Sequence, residues 1–233
     1  MSLSQQSRTN HRTRIKVCGL TRPQDVTDAM QWGADALGFV FYQPSKRCLT
    51  PAQYAGLVRH IPAFVSTVAL FVEPDVDLVN RVCEASKPTL LQFHGAETPE
   101  FCRQFNMPYI KAVRVGAPSL DTPQGLLEYC LQFDDAAAWL FDSFTPAYGG
   151  SGHRFDRNLI VPISQDSGAR PIVMSGGLTC DTVAETIHLL KPWAVDISSG
   201  VEISAGIKSA DKLQAFISAV AQADAAHISD VSH

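Results

Sequence analysis

Short runs of β-branched and aromatic residues alternate along this chain with longer segments whose apolar positions recur every three or four residues. The short runs read as strands: RIKVC, ADALGFVF, FVSTVALFV, TLLQF, YIKAVRV, AWLFD, PIVMS and AVDIS. The segments between them carry helix signals. In TRPQDVTDAMQWG, Thr21 is the expected N-cap and Gly33 the residue just past the end; in TPAQYAGLVRHI, Thr50 is the expected N-cap with Pro51 in the first turn. PDVDLVNRVCEAS, TPEFCRQF, TPQGLLEYCLQF, DRNLIVPI, TCDTVAETIHLL and KSADKLQAFISAV fill the remaining gaps, with Pro162 interrupting DRNLIVPI. Strict strand–helix alternation predicts a parallel sheet. Eight such units in a chain of 233 residues predict an α/β fold, a single-domain (β/α)8 TIM barrel. An open doubly wound sheet would carry a glycine-rich turn after its first strand. Here that turn is CGLTRP, with one glycine. The expected division is a disordered extension over 1–13, the barrel over 14–222 and a tail over 223–233.

In such a barrel the chemistry sits at the C-terminal strand ends, and side chains alternate between the axis and the helices. With Ile15 and Val17 outward, Lys16 and Cys18 face the axis. With Trp139 and Phe141 outward, Leu140 and Asp142 face it, and with Val195 and Ile197 outward, so do Asp196 and Ser198. Gln92 and His94 share one face. Polar side chains from several strands thus gather at the mouth, where burial is costly unless they are paired or used. Closure of the barrel puts the last strand beside the first, so Lys16 and Asp196 are expected to neutralise one another. Lys111 is likewise read as a member of an interior ion pair, and His94 as a hydrogen-bonded mouth residue.

Two late turns read as a phosphate cradle. SGG (Ser175–Gly177, including Gly176) follows the seventh strand and SSG (Ser198–Gly200) the eighth. Glycines let backbone N–H groups approach an anion, and a short helix N-terminus adds a favourable dipole. The loop after the sixth strand is long and contains GGSG (Gly149–Gly152), which reads either as a lid or as a surface excursion. Lys46 and Arg47, taken alone, read as a solvated pair.

Composition narrows the partners. The chain is 45% hydrophobic and 18% charged, ordinary for a globular protein, with a net charge of −4 and no basic block, which argues against nucleic acid. Cys18, Cys48, Cys83, Cys102, Cys130 and Cys180 form no CxxC pair, no metal-ligand spacing occurs, and scattered thiols fit a reducing compartment. The first residues lack the apolar core of a secretory signal, and no apolar run is long enough for a bilayer. The expectation is a soluble cytoplasmic protein, monomer or homodimer, without metal.

Taken together, KVCGLTRPQD, GADALGFVFYQPSKR, LQFHG, KAVRV, FD followed by GGSG and FD, SGGL and VDISSGVE resemble the phosphoribosylanthranilate isomerase family, in order and at family spacing from Arg14 onward. The resemblance implies a (β/α)8 barrel that performs an Amadori rearrangement of N-(5-phosphoribosyl)anthranilate to 1-(2-carboxyphenylamino)-1-deoxyribulose 5-phosphate, a small phosphorylated substrate, with no cofactor. It implies Cys18 as general base, Asp142 as general acid and Arg47 as the contact for the anthranilate carboxylate. It also implies Gly177, Ser199 and Gly200 as the phosphate grip, and Asp196 as a supporting acid near the sugar. FDR at Phe155–Arg157 departs from the commoner FDW.

The chemistry fits these residue types. Opening the furanose needs an acid at the ring oxygen, and the resulting Schiff base makes the C2′ proton acidic enough for a thiolate close to Lys16 to remove. By residue type alone, Cys18 also reads as a small core residue and Asp142 as a turn former. Another phosphosugar barrel remains as the alternative, either a Schiff-base aldolase using Lys16 or Lys111 or a metal-dependent epimerase.

Overall fold

A computed structural model describes residues 12–145 and 154–230. Eight parallel strands close into a barrel in sequence order: β1 (Arg14–Cys18), β2 (Ala36–Phe41), β3 (Ser66–Phe71), β4 (Leu90–Phe93), β5 (Tyr109–Val115), β6 (Ala138–Ser143), β7 (Ile172–Met174) and β8 (Ala194–Ile197). Between and after them lie α1 (Pro23–Trp32), α2 (Pro51–Val58), α3 (Val76–Ala85), α4 (Pro99–Arg103), α5 (Pro123–Leu131), α6 (Val161–Gln165), α7 (Val183–Leu190) and α8 (Ala210–Asp230). The expected α/β barrel is the fold. One addition breaks the strict alternation: after β8 a 3₁₀ turn (Ser199–Val201) leads into an antiparallel hairpin of β9 (Glu202–Ser204) and β10 (Ile207–Lys208).

Local chemistry sets most helix ends. Thr50 caps α2 in a reciprocal box with Gln53, and Asp75, Thr98 and Thr122 cap α3, α4 and α5 through their side chains. The expected cap at Thr21 is corrected. Pro23 forces the residue before it into an extended conformation, so Arg22 holds the cap position, and the Thr21 hydroxyl instead donates to the carbonyl of Gly206 at 2.5 Å. Gly33 ends α1 in the left-handed region, as its position requires. Around Pro162 the chain forms a 3₁₀ turn (Arg157–Ile160) followed by the short α6, with the proline in the first helical turn.

The strand alternation separates two apolar layers. Outward side chains, among them Ile15, Val17, Phe39, Phe93, Trp139, Phe141, Val195 and Ile197, pack against the helices in one continuous core. Inward side chains form a smaller plug of Val68, Ile110, Ala112, Ala138, Leu140, Val173 and Ala194, and above it lie Cys18, Val40, Leu70 and Val72. At about 25 cal/mol per Å² of apolar area the outer layer supplies the larger share of stabilisation, which leaves the upper inner face free to carry polar groups.

Position 222 falls inside α8, and Asp224 on that helix accepts from the backbone N–H and the hydroxyl of Thr13 at 2.8 and 2.7 Å, tying both ends of the barrel together. Arg12 pairs with Asp35. The GGSG stretch at 149–152 lies outside the described residues.

Candidate active site

Parallel pairing of β1 with β8 sets Lys16 opposite Asp196, and pairing with β2 sets Cys18 opposite Gly38. Lys16 Nζ donates to Asp196 Oδ1 at 2.8 Å, with both side chains buried, so the expected neutralisation is present. A side chain at Gly38 would put its Cβ 2.7 Å from Cys18 Sγ and 3.1 Å from Lys16 Nζ. The missing side chain of Gly38 therefore makes room for both groups on one small patch of the mouth. Burial pushes the Cys18 thiol up, Lys16 and Lys208 oppose that rise, and Asp196 adds to it. Burial also works against the Lys16 ammonium, but Asp196 and Cys18 outweigh it and hold its pKa above the ordinary lysine value.

Across the mouth, Asp142 ends the inward face of β6. Its Oδ2 lies 3.2 Å from His94 Nε2, and its Oδ1 accepts the backbone N–H of Ser143 at 2.9 Å. His94 Nδ1 in turn lies 3.0 Å from Gln92 Nε2 on β4. His94 bridges Gln92 on β4 and Asp142 on β6 through its two ring nitrogens. His94 is thus a hydrogen-bonded mouth residue, as expected.

Arg47, in the loop after β2, is not the solvated group its sequence neighbourhood suggests. Its Nε and Nη2 donate to the two oxygens of Glu202 at 2.8 and 2.6 Å, with 14% of the side chain exposed. The fork leaves Nη1 outside that ion pair. Lys46 beside it is exposed. Glu202 also takes Lys208 Nζ at 2.9 Å. Glu202 and Lys208 are buried site residues that strand–helix alternation does not single out, because both belong to the β9–β10 hairpin. The sequence signal for that hairpin is slight: VEIS and IK, on either side of a turn that ends at Gly206.

The two late turns meet. Gly176 and Gly177 take left-handed φ angles of 76° and 65°. A Cβ at Gly176 would fall 2.6 Å from Ser143 Oγ and 3.1 Å from the Phe155 ring, so no other residue fits there. Gly200 lies against the carbonyl of Leu178, and the 3₁₀ turn begins at Ser199. Asp156 of the FDR stretch caps the turn before α6 through its side chain, so Phe155 and Asp156 keep local roles beside Arg157.

Lys111 is not at the mouth. Its neighbours Ile110 and Ala112 point inward, and its ammonium lies 5.2 Å from the Phe133 ring in the outer layer and 2.7 Å from Glu97. The interior ion pair is present, and the alternative of a Schiff base on Lys111 loses its geometric basis. Among the described residues no three His, Cys, Asp or Glu side chains converge as a metal site.

The comparisons with known proteins agree with this geometry. Residues 15–219 match the family model described as N-(5′-phosphoribosyl)anthranilate (PRA) isomerase. A relative from Bordetella bronchiseptica bearing that enzyme name is 50% identical over 213 residues, covering 91% of this chain and 98% of its own. The crystal structure of phosphoribosyl anthranilate isomerase from Thermotoga maritima aligns with TM-score 0.81 at 36% identity over 90% of this chain and 99% of that one. A second, solved with reduced 1-(o-carboxyphenylamino)-1-deoxyribulose 5-phosphate, aligns with TM-score 0.78 at 32% identity over the same shares. A family model covering most of the barrel and a relative identical at half of the aligned positions leave one assignment: the chain belongs to the N-(5′-phosphoribosyl)anthranilate isomerase family.

Proposed function

We propose that this chain carries out the family's aldose–ketose isomerisation, the Amadori rearrangement of N-(5-phosphoribosyl)anthranilate, with Asp142 as general acid and Cys18 as general base. The observation that carries the assignment of roles is the placement of these two side chains at the inward ends of β6 and β1. Cys18 has the Lys16 ammonium beside it, and Asp142 has His94 Nε2 at 3.2 Å. Asp142 gives a proton to the ring oxygen as the C1′–O bond breaks, and the nitrogen lone pair forms the C1′=N bond. The Cys18 thiolate then takes the C2′ proton, whose bonding electrons become the C1′=C2′ bond of an enolamine. Loss of the C2′ hydroxyl proton and protonation at C1′ give the aminoketose.

The small phosphorylated substrate is read as lying across the mouth. Arg47, with Nη1 outside its ion pair, suits the anthranilate carboxylate. The turns at Gly176–Gly177 and Ser199–Gly200 suit the phosphate through backbone N–H groups. Asp196, held by Lys16, is read as a support near the sugar.

The test is a coupled assay with freshly prepared phosphoribosylanthranilate, following loss of its fluorescence, before and after exhaustive chelation. Full activity in the chelated enzyme agrees with this reading. Activity that returns only on adding a divalent metal contradicts it.

A further inference from the structure

Glu202 is a buried carboxylate for which the proposed proton transfers have no use. It opens β9 and is held from several directions. Its Oε1 accepts from Lys208 Nζ at 2.9 Å and from the backbone N–H of Gly206 at 3.2 Å, and its backbone carbonyl accepts from Lys212 Nζ on α8 at 2.8 Å. Lys208 is pinned in turn: Nζ donates to Ser198 O at 3.1 Å, and its backbone N–H donates to Asp25 Oδ2 at 3.2 Å. The β9–β10 hairpin is therefore fastened to the loop after β8, to α1 and to α8, and Glu202 presents its carboxylate from a fixed frame.

That carboxylate holds Arg47. Nε and Nη2 donate to its two oxygens at 2.8 and 2.6 Å. Two parallel bonds to one planar acceptor set the direction and the rotation of a guanidinium, which a point charge does not do. The pair uses two of the five guanidinium N–H bonds. One bond on Nη1 and one on Nη2 remain parallel along the far edge, the arrangement that grips a second carboxylate. The arginine stands beside the base: a Cβ at Gly19, the residue after Cys18, would collide with Arg47 Cδ and lie 3.2 Å from its Nε. Lys208 and Arg47 together face Glu202 alone, so the cluster stays cationic although Arg47 is already paired.

We infer that Glu202 is a positioning residue for recognition of the substrate's carboxylate: its fork orders Arg47 before the substrate arrives and leaves the Nη1–Nη2 edge to take that group. The inference rests on the reading of Arg47 as the carboxylate contact. An arginine left loose in the loop after β2 would lose its rotamer freedom only on binding, and affinity would fall by that cost. A count of charges gives the opposite expectation, since deleting an anion beside Arg47 should strengthen its hold on another. The sign of the effect separates orientation from net charge.

The experiment measures calorimetric affinity for two probes: reduced 1-(o-carboxyphenylamino)-1-deoxyribulose 5-phosphate, and the same compound made with aniline, which lacks the carboxylate. Their ratio reads carboxylate recognition, whereas general damage to the site weakens both alike. Glu202→Gln should lower the preference for the carboxylated probe by about three- to tenfold, the cost of ordering one long side chain on binding, with the aniline probe unchanged. Arg47→Met should lower the preference at least as far, and the double variant no further than Arg47→Met. A folded Glu202→Gln whose preference is unchanged or raised, while Arg47→Met lowers it, overturns the inference and leaves the reading of Arg47 intact. If Arg47→Met leaves the preference in place, that reading fails and the inference with it. Should Glu202→Gln fail to fold, Arg47→Lys decides: it keeps the charge and cannot form the fork, so full preference in that variant overturns the inference.

Discussion

Two buried lysine–carboxylate pairs in this barrel are nearly alike in length and differ in what surrounds them. Lys16–Asp196 measures 2.8 Å and Lys111–Glu97 2.7 Å. Around Lys111 every polar bond closes on itself. Its Nζ also donates to Gly95 O at 2.7 Å, and Glu97 takes the backbone N–H groups of Glu73 and Gly95. That set locks the loop between β4 and α4 against the outer layer. Lys16 faces the axis, and its neighbour beyond Asp196 is a thiol. Burial and pairing therefore do not distinguish a structural pair from one at a reacting centre. Strand parity and an unclosed neighbour do.

The contrast predicts that the mouth and the outer layer fail differently when altered. Asp142→Asn keeps the shape of the side chain and removes its transferable proton. It should lower kcat by about 10²–10⁴-fold, as loss of a general acid does, while a reduced product analogue still binds, because that ligand needs no proton transfer. Steady-state kinetics beside calorimetric binding checks both halves.

Lys111→Met should act on folding instead. Breaking a buried pair from one side leaves Glu97 uncompensated and costs about 3–5 kcal/mol. Denaturant unfolding should show that loss, while kcat per folded molecule stays near wild type. A large fall in kcat at unchanged stability would erase the contrast between the two pairs.

Gly177→Asp sets a carboxylate at the proposed phosphate turn, on a backbone with φ of 65°. Binding of the product analogue should weaken by about tenfold or more, equivalent to about 1.4 kcal/mol. An analogue lacking the phosphate should bind the variant and the wild type alike.

The smallest effect concerns acid stability. Burial pushes the Glu202 carboxyl up, but Arg47 and Lys208 outweigh it and hold its pKa below the usual glutamate value. A carboxyl lowered on folding contributes stability that is complete above its unfolded pKa, about 4.3, and is lost as pH falls through the folded value. The melting temperature should therefore fall less steeply below about pH 4.3 in Glu202→Gln than in wild type, as differential scanning fluorimetry across that range would record.

Much of this architecture was legible in the sequence because its causes are local. Alternation in RIKVC, AWLFD and AVDIS sorts outward apolar residues from inward polar ones, and closure of the barrel then brings Lys16 to Asp196 without further information. Thr50 with Pro51 and Gln53 carries its own cap. What could not be read depends on distant contacts. Arg47 meets Glu202 across 155 positions of chain, and no local pattern around SKR marks that partner. The β9–β10 hairpin is too short for a periodicity to register, so Glu202 and Lys208 stayed hidden with it. Thr21 misled because a good capping residue stood one position too early, and the proline decided the matter.

Cys18 carries the central claim, and the decisive measurement is single-turnover conversion of phosphoribosylanthranilate by folded Cys18→Ala, with product-analogue affinity measured on the same sample. The prediction is analogue binding close to wild type together with a rate lowered by about 10²–10⁴-fold. Wild-type turnover in that variant would contradict this role and return Cys18 to that of a small side chain above the barrel plug.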